Sequence, residues 1–320
     1  MIINRNLILV WTICLTLIGI AAGVRISIVL QEQQLASLKE QAYTTASISD
    51  SLIPEESFYE PEESSKTKIS PTSAPFVPTT PTISAKAYLA GNIVTKEIYL
   101  EKNSGTALPV ASMSKLITAF AVTDMLPLDT KITITKDELN VPVDASKLTE
   151  GEIFTVGELL NPLLMNSSNV AAEALASSSD RSKFLDSMEG YAWEVGMPKT
   201  LFDDPTGLSP KNVSTARDFF ALAQYLYKSR PDILAITRIP TSSISSTTEH
   251  GAHNFTNIHP FVLDPDFLGG KTGHTTEARD TMLTIMNINN QPVAIIVISS
   301  NNRKVDTAMI IKKVKNILGQ

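Results

Sequence analysis

The chain has 320 residues, of which 43% are hydrophobic and 19% charged, and its formal net charge is −6. This composition is too apolar for a disordered protein and too polar, on average, for a polytopic membrane protein, so it predicts a globular core. The acidic balance argues against a nucleic-acid partner, because binding phosphates requires clustered Lys and Arg. The single cysteine, Cys14, excludes an intramolecular disulfide framework and a Cys-based zinc site.

The first 30 residues carry a membrane signal. An uncharged run at residues 7–24 lies between Arg5 and Arg25 and is long enough to cross the hydrocarbon core as a helix. We interpret residues 1–30 as an uncleaved, single-pass N-terminal anchor. The small residues Ala21, Ala22 and Gly23 loosely resemble a cleavage site, so a secreted protein released by signal cleavage is the alternative.

Residues 31–84 form a second segment of different composition. They contain eight Asp or Glu against three Lys or Arg, with six Pro, seventeen Ser or Thr and no Gly. Such a segment buries too little apolar surface to fold, and we predict an extended, disordered stalk. The remaining residues, 85–320, carry a net charge of only −3 and form the predicted folded domain.

Residues 85–320 show strand patterns at both ends and helical periodicity between them. Two short strands around a Gly91-Asn92 turn predict an opening hairpin, and Asn289-Asn290 predicts a turn between the last two strands. Ser214 is the predicted N-cap of one central helix. The pattern predicts a mixed α/β domain with a helical insertion. Strands are predicted at 86–89, 97–101, 267–272, 281–288 and 293–299, and helices at 112–125, 156–165, 170–176, 182–195, 214–227 and 310–318.

Ser112 and Lys115 are a candidate nucleophile and base. Their spacing of three at a helix start places hydroxyl and amine on one face, and a neutral lysine can take the proton of a serine that attacks a carbonyl. The helix N-terminus adds N–H groups that favour a developing oxyanion. The pair alone is a weak signal, because Ser65 and Lys68 in the stalk have the same spacing.

Two further motifs follow Ser112 in the chain. Ser167 and Asn169 form a Ser-x-Asn element 55 residues later, and Lys271-Thr272-Gly273 begins 104 residues after that. The lysine amine and the threonine hydroxyls can together bind a carboxylate, and glycine permits close approach of the backbone. Together, in this order, the three motifs indicate an acyl-transfer enzyme of the β-lactamase and penicillin-binding class.

With their neighbouring residues, these motifs resemble the D-alanyl-D-alanine carboxypeptidase family, the serine-type, low-molecular-mass penicillin-binding proteins of peptidase family S11. The resemblance runs from about residue 85 to 318. It implies the penicillin-recognising, β-lactamase-like transpeptidase fold, in which helices flank an antiparallel sheet and a helical subdomain lies across the cleft. It also implies removal of the terminal D-alanine from peptidoglycan stem pentapeptides, with roles in cell-wall biogenesis and cell shape, and inhibition by β-lactams.

The resemblance also implies a role for each site residue. Ser112 would attack the carbonyl between the two D-alanines and Lys115 would accept its proton, with the pKa of Lys115 lowered by burial and by Lys271. Ser167 would relay a proton to the leaving amine, and Asn169 would hold Lys115 and the substrate amide. The terminal carboxylate would bind to Lys271, Thr272 and Thr275 beside Gly273, and the backbone N–H groups of Ser112 and His274 would form the oxyanion hole. No cofactor or metal is implied.

Several alternatives remain open. A D,D-endopeptidase that cleaves peptidoglycan cross-links would use the same residues, and Val170, where family members often carry an acidic residue, leaves substrate preference undetermined. A class A β-lactamase is disfavoured because no Glu-x-x-Leu-Asn element occurs between residues 170 and 270. An inactive wall-binding module is disfavoured by the three intact motifs. A metal site at His250, His253 and His259 lacks a neighbouring carboxylate pattern and is better explained by a polar loop.

Overall fold

The structure, a computed structural model, describes residues 82–319. The predicted anchor at residues 1–30 and almost all of the predicted stalk lie outside the described residues. Between residues 82 and 319 no helix is both long enough and apolar enough to cross a membrane.

A five-stranded antiparallel sheet forms the centre of the domain. The five strands are β1 (Ala87–Asn92), β2 (Ile98–Lys102), β9 (Phe267–Thr275), β10 (Arg279–Ile288) and β11 (Gln291–Ser300). Their order across the sheet is β2-β1-β11-β10-β9, so the first strands of the domain pair with the last ones. Strand β9, which carries the Lys-Thr-Gly motif, forms one edge of this sheet.

Both faces of this sheet are buried. Along β11, Ala294 and Ile296 belong to the core shared with the central helices, while Val293 and Ile295 pack on the other face. That second face is covered by the C-terminal helix α8 (Arg303–Ile317). Burial on both faces explains why the last strand reads as a continuous apolar run rather than an alternating one.

The helical block lies between β2 and β9 in the chain. It packs into the same core as the inner sheet face, through buried residues such as Leu116, Leu163 and Phe219. A 3₁₀ turn at Ala111–Ser114 leads into its first helix. Its helices are α1 (Lys115–Met125), α2 (Lys136–Leu139), α3 (Val156–Leu164), α4 (Asn169–Ser177), α5 (Arg181–Glu194), α6 (Ala216–Ser229) and α7 (Pro231–Thr237). Three small antiparallel pairs accompany them: β3 (Leu108–Pro109) with β6 (Val213–Ser214), β4 (Lys131–Thr133) with β5 (Ile153–Thr155), and β7 (Thr241–Ile244) with β8 (His253–Thr256).

Local sequence chemistry explains several of these boundaries. Thr155 and Glu158 form a reciprocal capping box at the start of α3. Asn289 and Asn290 both adopt positive φ, at 53° and 58°, as a two-residue turn between twisted strands requires. The predicted mixed α/β fold, with helices that flank an antiparallel sheet and a helical insertion, is confirmed, and within residues 82–319 the terminal helix on the sheet is α8.

Four local predictions need correction. The first turn lies at residues 93–95, because Gly91 and Asn92 still belong to β1. The cap of α6 is Thr215, whose hydroxyl accepts from the Asp218 N–H, while Ser214 lies in β6. The predicted helix at 112–125 begins as a 3₁₀ turn, and the last helix begins at Arg303 rather than at residue 310. The first two turns of this last helix are mostly polar, so they lack the apolar periodicity that predicts a helix, although Asn302 is a favourable N-cap.

Candidate active site

Ser112 and Lys115 lie at the junction between the 3₁₀ turn and α1. The Lys115 Nζ lies 2.9 Å from the Ser112 Oγ, so the predicted pair is formed. The same nitrogen donates to the Asn169 Oδ1 at 2.7 Å and to the Thr206 carbonyl at 2.5 Å. Ala111, directly before Ser112, has a φ of 50°, which is unusual for a residue with a side chain and marks a constrained turn.

Burial determines the charge of Lys115. The side chain is 0% exposed, and loss of hydration lowers its pKa from 10.5 to about 7, against the opposing charges of Asp204, Asp144 and Glu173. Burial also lowers the pKa of Lys271 well below its usual value, and repulsion from Lys115 adds to this effect. Burial is therefore the largest cause at both lysines, and the predicted contribution of Lys271 to the lowered pKa of Lys115 is not found.

The Ser-x-Asn element lies in the break between α3 and α4, as predicted. Ser167 adopts a φ of 65° and its Oγ accepts from the Lys271 Nζ at 2.8 Å. Ser168 caps α4, because its hydroxyl accepts from the Ala171 N–H. Asn169 directs its Oδ1 to Lys115 and donates through its Nδ2 to the Val143 carbonyl at 2.7 Å. The Ser-x-Asn element therefore contacts both lysines, Lys271 through Ser167 and Lys115 through Asn169.

The Lys-Thr-Gly strand lies directly against the turn that carries Ser112. A Cβ at Gly273 would lie 2.9 Å from the Ser112 nitrogen and 2.5 Å from the Thr281 Oγ1, so only glycine permits this approach. Thr272 is buried, whereas the His274 side chain is exposed and pairs with Asp280 at 2.9 Å.

A cavity of about 530 Å³ opens between the strand and the helical block. Seven of the nine predicted site residues line it; the other two, Lys115 and Lys271, are buried behind it. The Thr275 hydroxyl accepts from the Ala278 N–H in the following turn, although the residue still lines the cavity. The seven lining residues are Ser112, Ser167, Asn169, Thr272, Gly273, His274 and Thr275.

Three other residues complete the site, and sequence reasoning missed them. Thr206 contributes only its backbone carbonyl, and Asp144 accepts from the Asn169 N–H at 2.5 Å. Arg303, at the start of α8, lines the cavity and donates to the Gly273 carbonyl at 2.7 Å. No sequence pattern marks a carbonyl or a residue brought in by tertiary contact. Only the Asn302 cap could have indicated the helix start that presents Arg303.

Of the three histidines outside the motifs, His250 and His253 pack on the same Phe154 ring, and His259 lies apart from them. His250 stacks on Phe154, and His253 pairs with the Glu152 carboxylate at 2.7 Å. His259 is buried elsewhere against Phe267, and burial lowers its pKa to about 3. The polar-loop explanation is therefore wrong for these residues, since His250 and His259 are buried.

Comparison with known proteins agrees with this geometry. The sequence profile of the D-alanyl-D-alanine carboxypeptidase family, peptidase S11, matches residues 74–302. The chain belongs to this family. Membership confirms the predicted fold and the predicted enzyme class, a serine-type D-alanyl-D-alanine carboxypeptidase.

Individual relatives cover most of the folded part. A D-alanyl-D-alanine endopeptidase of Escherichia coli K12 is 30% identical over 238 residues, which are 72% of this chain and 76% of that protein. A D-alanyl-D-alanine carboxypeptidase of Bacillus subtilis 168 is 26% identical over 68% of this chain and 58% of its own length. The cefotaxime-bound penicillin-binding protein D2 of Listeria monocytogenes is 27% identical with a TM-score of 0.64, covering 73% of this chain and 98% of that structure.

Proposed function

We propose that this carboxypeptidase releases the terminal D-alanine from peptidoglycan stem pentapeptides through an acyl-enzyme on Ser112, and that β-lactams inhibit it by acylating the same residue. The contact between Ser112 and the buried amine of Lys115 carries the proposal. A lysine whose pKa is about 7 is neutral in a large fraction of molecules at physiological pH and can act as a general base.

The hydrogen bonds of Lys115 determine the direction of the lone pair on its neutral amine nitrogen. A neutral amine has two N–H donors and one lone pair. The Asn169 Oδ1 and the Thr206 carbonyl can only accept, so they take the two N–H groups. The lone pair then faces the Ser112 hydroxyl, the one partner that can donate. Ser112 can therefore pass its proton to Lys115 as its oxygen attacks the substrate carbonyl.

Ser167 and Lys271 supply the second half of the proton transfer. As the bond between the two D-alanines breaks, the leaving amine takes a proton from the Ser167 hydroxyl, which recovers one from the neighbouring amines. Water then attacks the acyl carbonyl and gives a proton to Lys115, which passes a proton to the Ser112 oxygen as the acyl bond breaks. The depressed pKa of Lys115 favours this relay, because an amine with a pKa of about 7 exists in both protonation states near neutral pH, and burial lowers the pKa of Lys271 as well.

The other end of the cavity suits the substrate's terminal carboxylate. The hydroxyls of Thr272 and Thr275 and the Lys271 amine are the predicted contacts, and the Arg303 guanidinium adds a positive charge at the same cavity. The backbone N–H groups of Ser112 and His274 are proposed as the oxyanion hole, with no catalytic role for the exposed His274 side chain.

One experiment tests the nucleophile. Labelled benzylpenicillin should acylate the purified full-length protein, and Ser112→Ala should abolish labelling. Ser65→Ala is the matched control, because Ser65 occurs in the second Ser-x-x-Lys match of the chain and should not affect labelling. Undiminished labelling of Ser112→Ala would show that another residue is the nucleophile.

A D,D-endopeptidase is the second candidate, favoured by the similarity to the D-alanyl-D-alanine endopeptidase of Escherichia coli K12. Incubation with a stem pentapeptide and with a cross-linked peptide dimer separates the two activities. Release of D-alanine from the pentapeptide without cleavage of the dimer supports the carboxypeptidase. Preferential cleavage of the dimer would assign the endopeptidase.

We further propose that residues 1–30 anchor the protein in the cell membrane, with residues 31–84 as a stalk and the catalytic domain outside the cytoplasm. The uncharged run at residues 7–24 and the Ser/Thr/Pro/Glu-rich segment after it support this arrangement. The intact mass of protein recovered from membranes is the test. Retention of the N-terminal residues supports an anchor, and loss of the segment up to the Ala21-Ala22-Gly23 site would indicate a cleaved signal peptide.

A further inference from the structure

Val143 combines two features that are unfavourable for a valine. Its φ is 58°, a conformation that β-branched residues rarely adopt, and its side chain is 87% exposed. Glycine or asparagine would adopt this backbone conformation with less strain. A strained and exposed apolar residue therefore needs an explanation beyond folding.

The backbone conformation itself is explained by the neighbouring Ser-x-Asn element. The Val143 carbonyl accepts from the Asn169 Nδ2 at 2.7 Å. The next residue, Asp144, accepts from the N–H groups of Asn169 and Val170 at 2.5 and 3.1 Å. These bonds fix the loop against the start of α4, but they use only backbone atoms of Val143. They would form equally well with another side chain at this position.

The Val143 side chain lies at the wall of the active-site cavity. Two further apolar residues line the same cavity from separate segments: Leu208, and Ile258, which is 48% exposed. We name these three residues the apolar rim. The strand side of the cavity is polar by contrast, with Thr272 and Arg303. The apolar rim therefore supplies apolar surface to a cavity whose helical side also carries Asp144, Ser167 and Asn169.

We propose that the apolar rim binds the part of the substrate on the carbonyl side of the scissile bond, and that Val143 determines specificity for an aliphatic or aromatic group there. This inference rests on the proposed function, which assigns the polar strand side to the terminal carboxylate. The acyl portion then extends toward the helical block, where the rim lies. Contact with an apolar group would remove the exposed valine surface from water and give the strained residue a function.

Two β-lactams that share the reactive ring and the carboxylate test the rim. Benzylpenicillin carries an aromatic acyl side chain, whereas 6-aminopenicillanic acid carries none. We expect Val143→Gly to lower the second-order rate of acylation by benzylpenicillin about tenfold, because partial burial of a valine side chain corresponds to roughly that factor. Acylation by 6-aminopenicillanic acid should change less than about twofold, because it has no group to contact the rim.

Stability separates this role from a structural one. Val143→Gly relieves an unfavourable conformation, so the melting temperature should stay constant or rise by a few degrees while selectivity falls. Lys147→Gly is the matched control, since Lys147 has the same φ of 58°, is exposed and lies in the same loop without lining the cavity. It should leave both acylation rates unchanged.

A second variant, Val143→Asn, keeps a side chain of similar size that tolerates this φ but is polar. It should lose selectivity for benzylpenicillin as the glycine variant does. Wild-type selectivity in either variant, or an equal loss of rate with both β-lactams, would overturn the assignment of the rim. Failure of both β-lactams to acylate the wild type would instead overturn the proposed function, and the rim assignment with it.

Discussion

The burial of Lys115 predicts that the domain becomes more stable as pH rises above neutrality. Its pKa is about 7 in the folded protein and 10.5 when hydrated, so between these values the unfolded chain binds a proton that the folded chain does not. Each pH unit within this window raises the free energy of unfolding by about 1.4 kcal/mol. Allowing for partial titration near its lower end, Lys115 contributes about 2 kcal/mol of added stability between pH 7 and pH 9.

Lys115→Met removes this titration and should flatten the pH dependence by about that amount. Urea unfolding at pH 7, 8 and 9 measures the effect, provided that the slope m is the same for all variants. The exposed Lys313→Met is the control and should behave as the wild type.

Two outcomes would refute this reasoning. Equal pH dependence in the wild type and Lys115→Met would show that the amine is not held neutral by burial. A wild-type stability that falls between pH 7 and pH 9 would show that another titration dominates. In the expected case, the acylation rate of the wild type should also rise with pH through a midpoint near 7, because Lys115 must lose its proton before it can act as a base.

Three further substitutions test the supports of the site. Gly207→Ala should destabilise the domain by about 3 kcal/mol in denaturant unfolding, because the added Cβ would lie 2.0 Å from the Ala111 carbonyl oxygen. Gly151→Ala is the control, with a similar φ but open space around it, and should cost about 1 kcal/mol. Equal costs for the two variants would contradict this explanation. Asp144→Ala should slow penicillin acylation at least tenfold, because it leaves two N–H groups at the start of α4 without their acceptor, and an unchanged rate would count against it. Asp306→Asn should cost about 3 kcal/mol in the same unfolding assay, because its carboxylate accepts from Ser84 and Ser300, and a cost below about 1 kcal/mol would refute this.

The sequence predicted those parts of the molecule that depend on local chemistry. The turn at Asn289-Asn290 and the break at Ser167–Asn169 follow from the intrinsic preferences of a few adjacent residues, and the structure has both. The order of three motifs was sufficient to predict which side chains converge. Thr206 and Arg303 were not predicted as site residues, because they reach the site only when distant segments of the chain pack together. Thr206 also acts through its backbone carbonyl, which every residue has and which no side-chain pattern identifies.

The same limit applies to electrostatics. The resemblance implied that burial and Lys271 would together lower the pKa of Lys115, but the sequence could not show that burial is the cause or that three carboxylates oppose it. It also gave no indication that Val143 is forced into a left-handed conformation, because that conformation results from a bond to Asn169 in another part of the chain.

The place where the chain enters the domain has a mechanical consequence. Ser84 is bonded to Asp306 through its N–H and its hydroxyl, and the chain then continues into β1, which pairs with β11 and β2 on its two sides. The hydrogen bonds of β1 run perpendicular to the strand. Tension on the residues before Ser84 would therefore load these bonds together in shear, rather than one after another. The domain is built to resist a pull from its N-terminal side, whereas a pull on α8 from its C-terminal end would not act along a strand of the sheet.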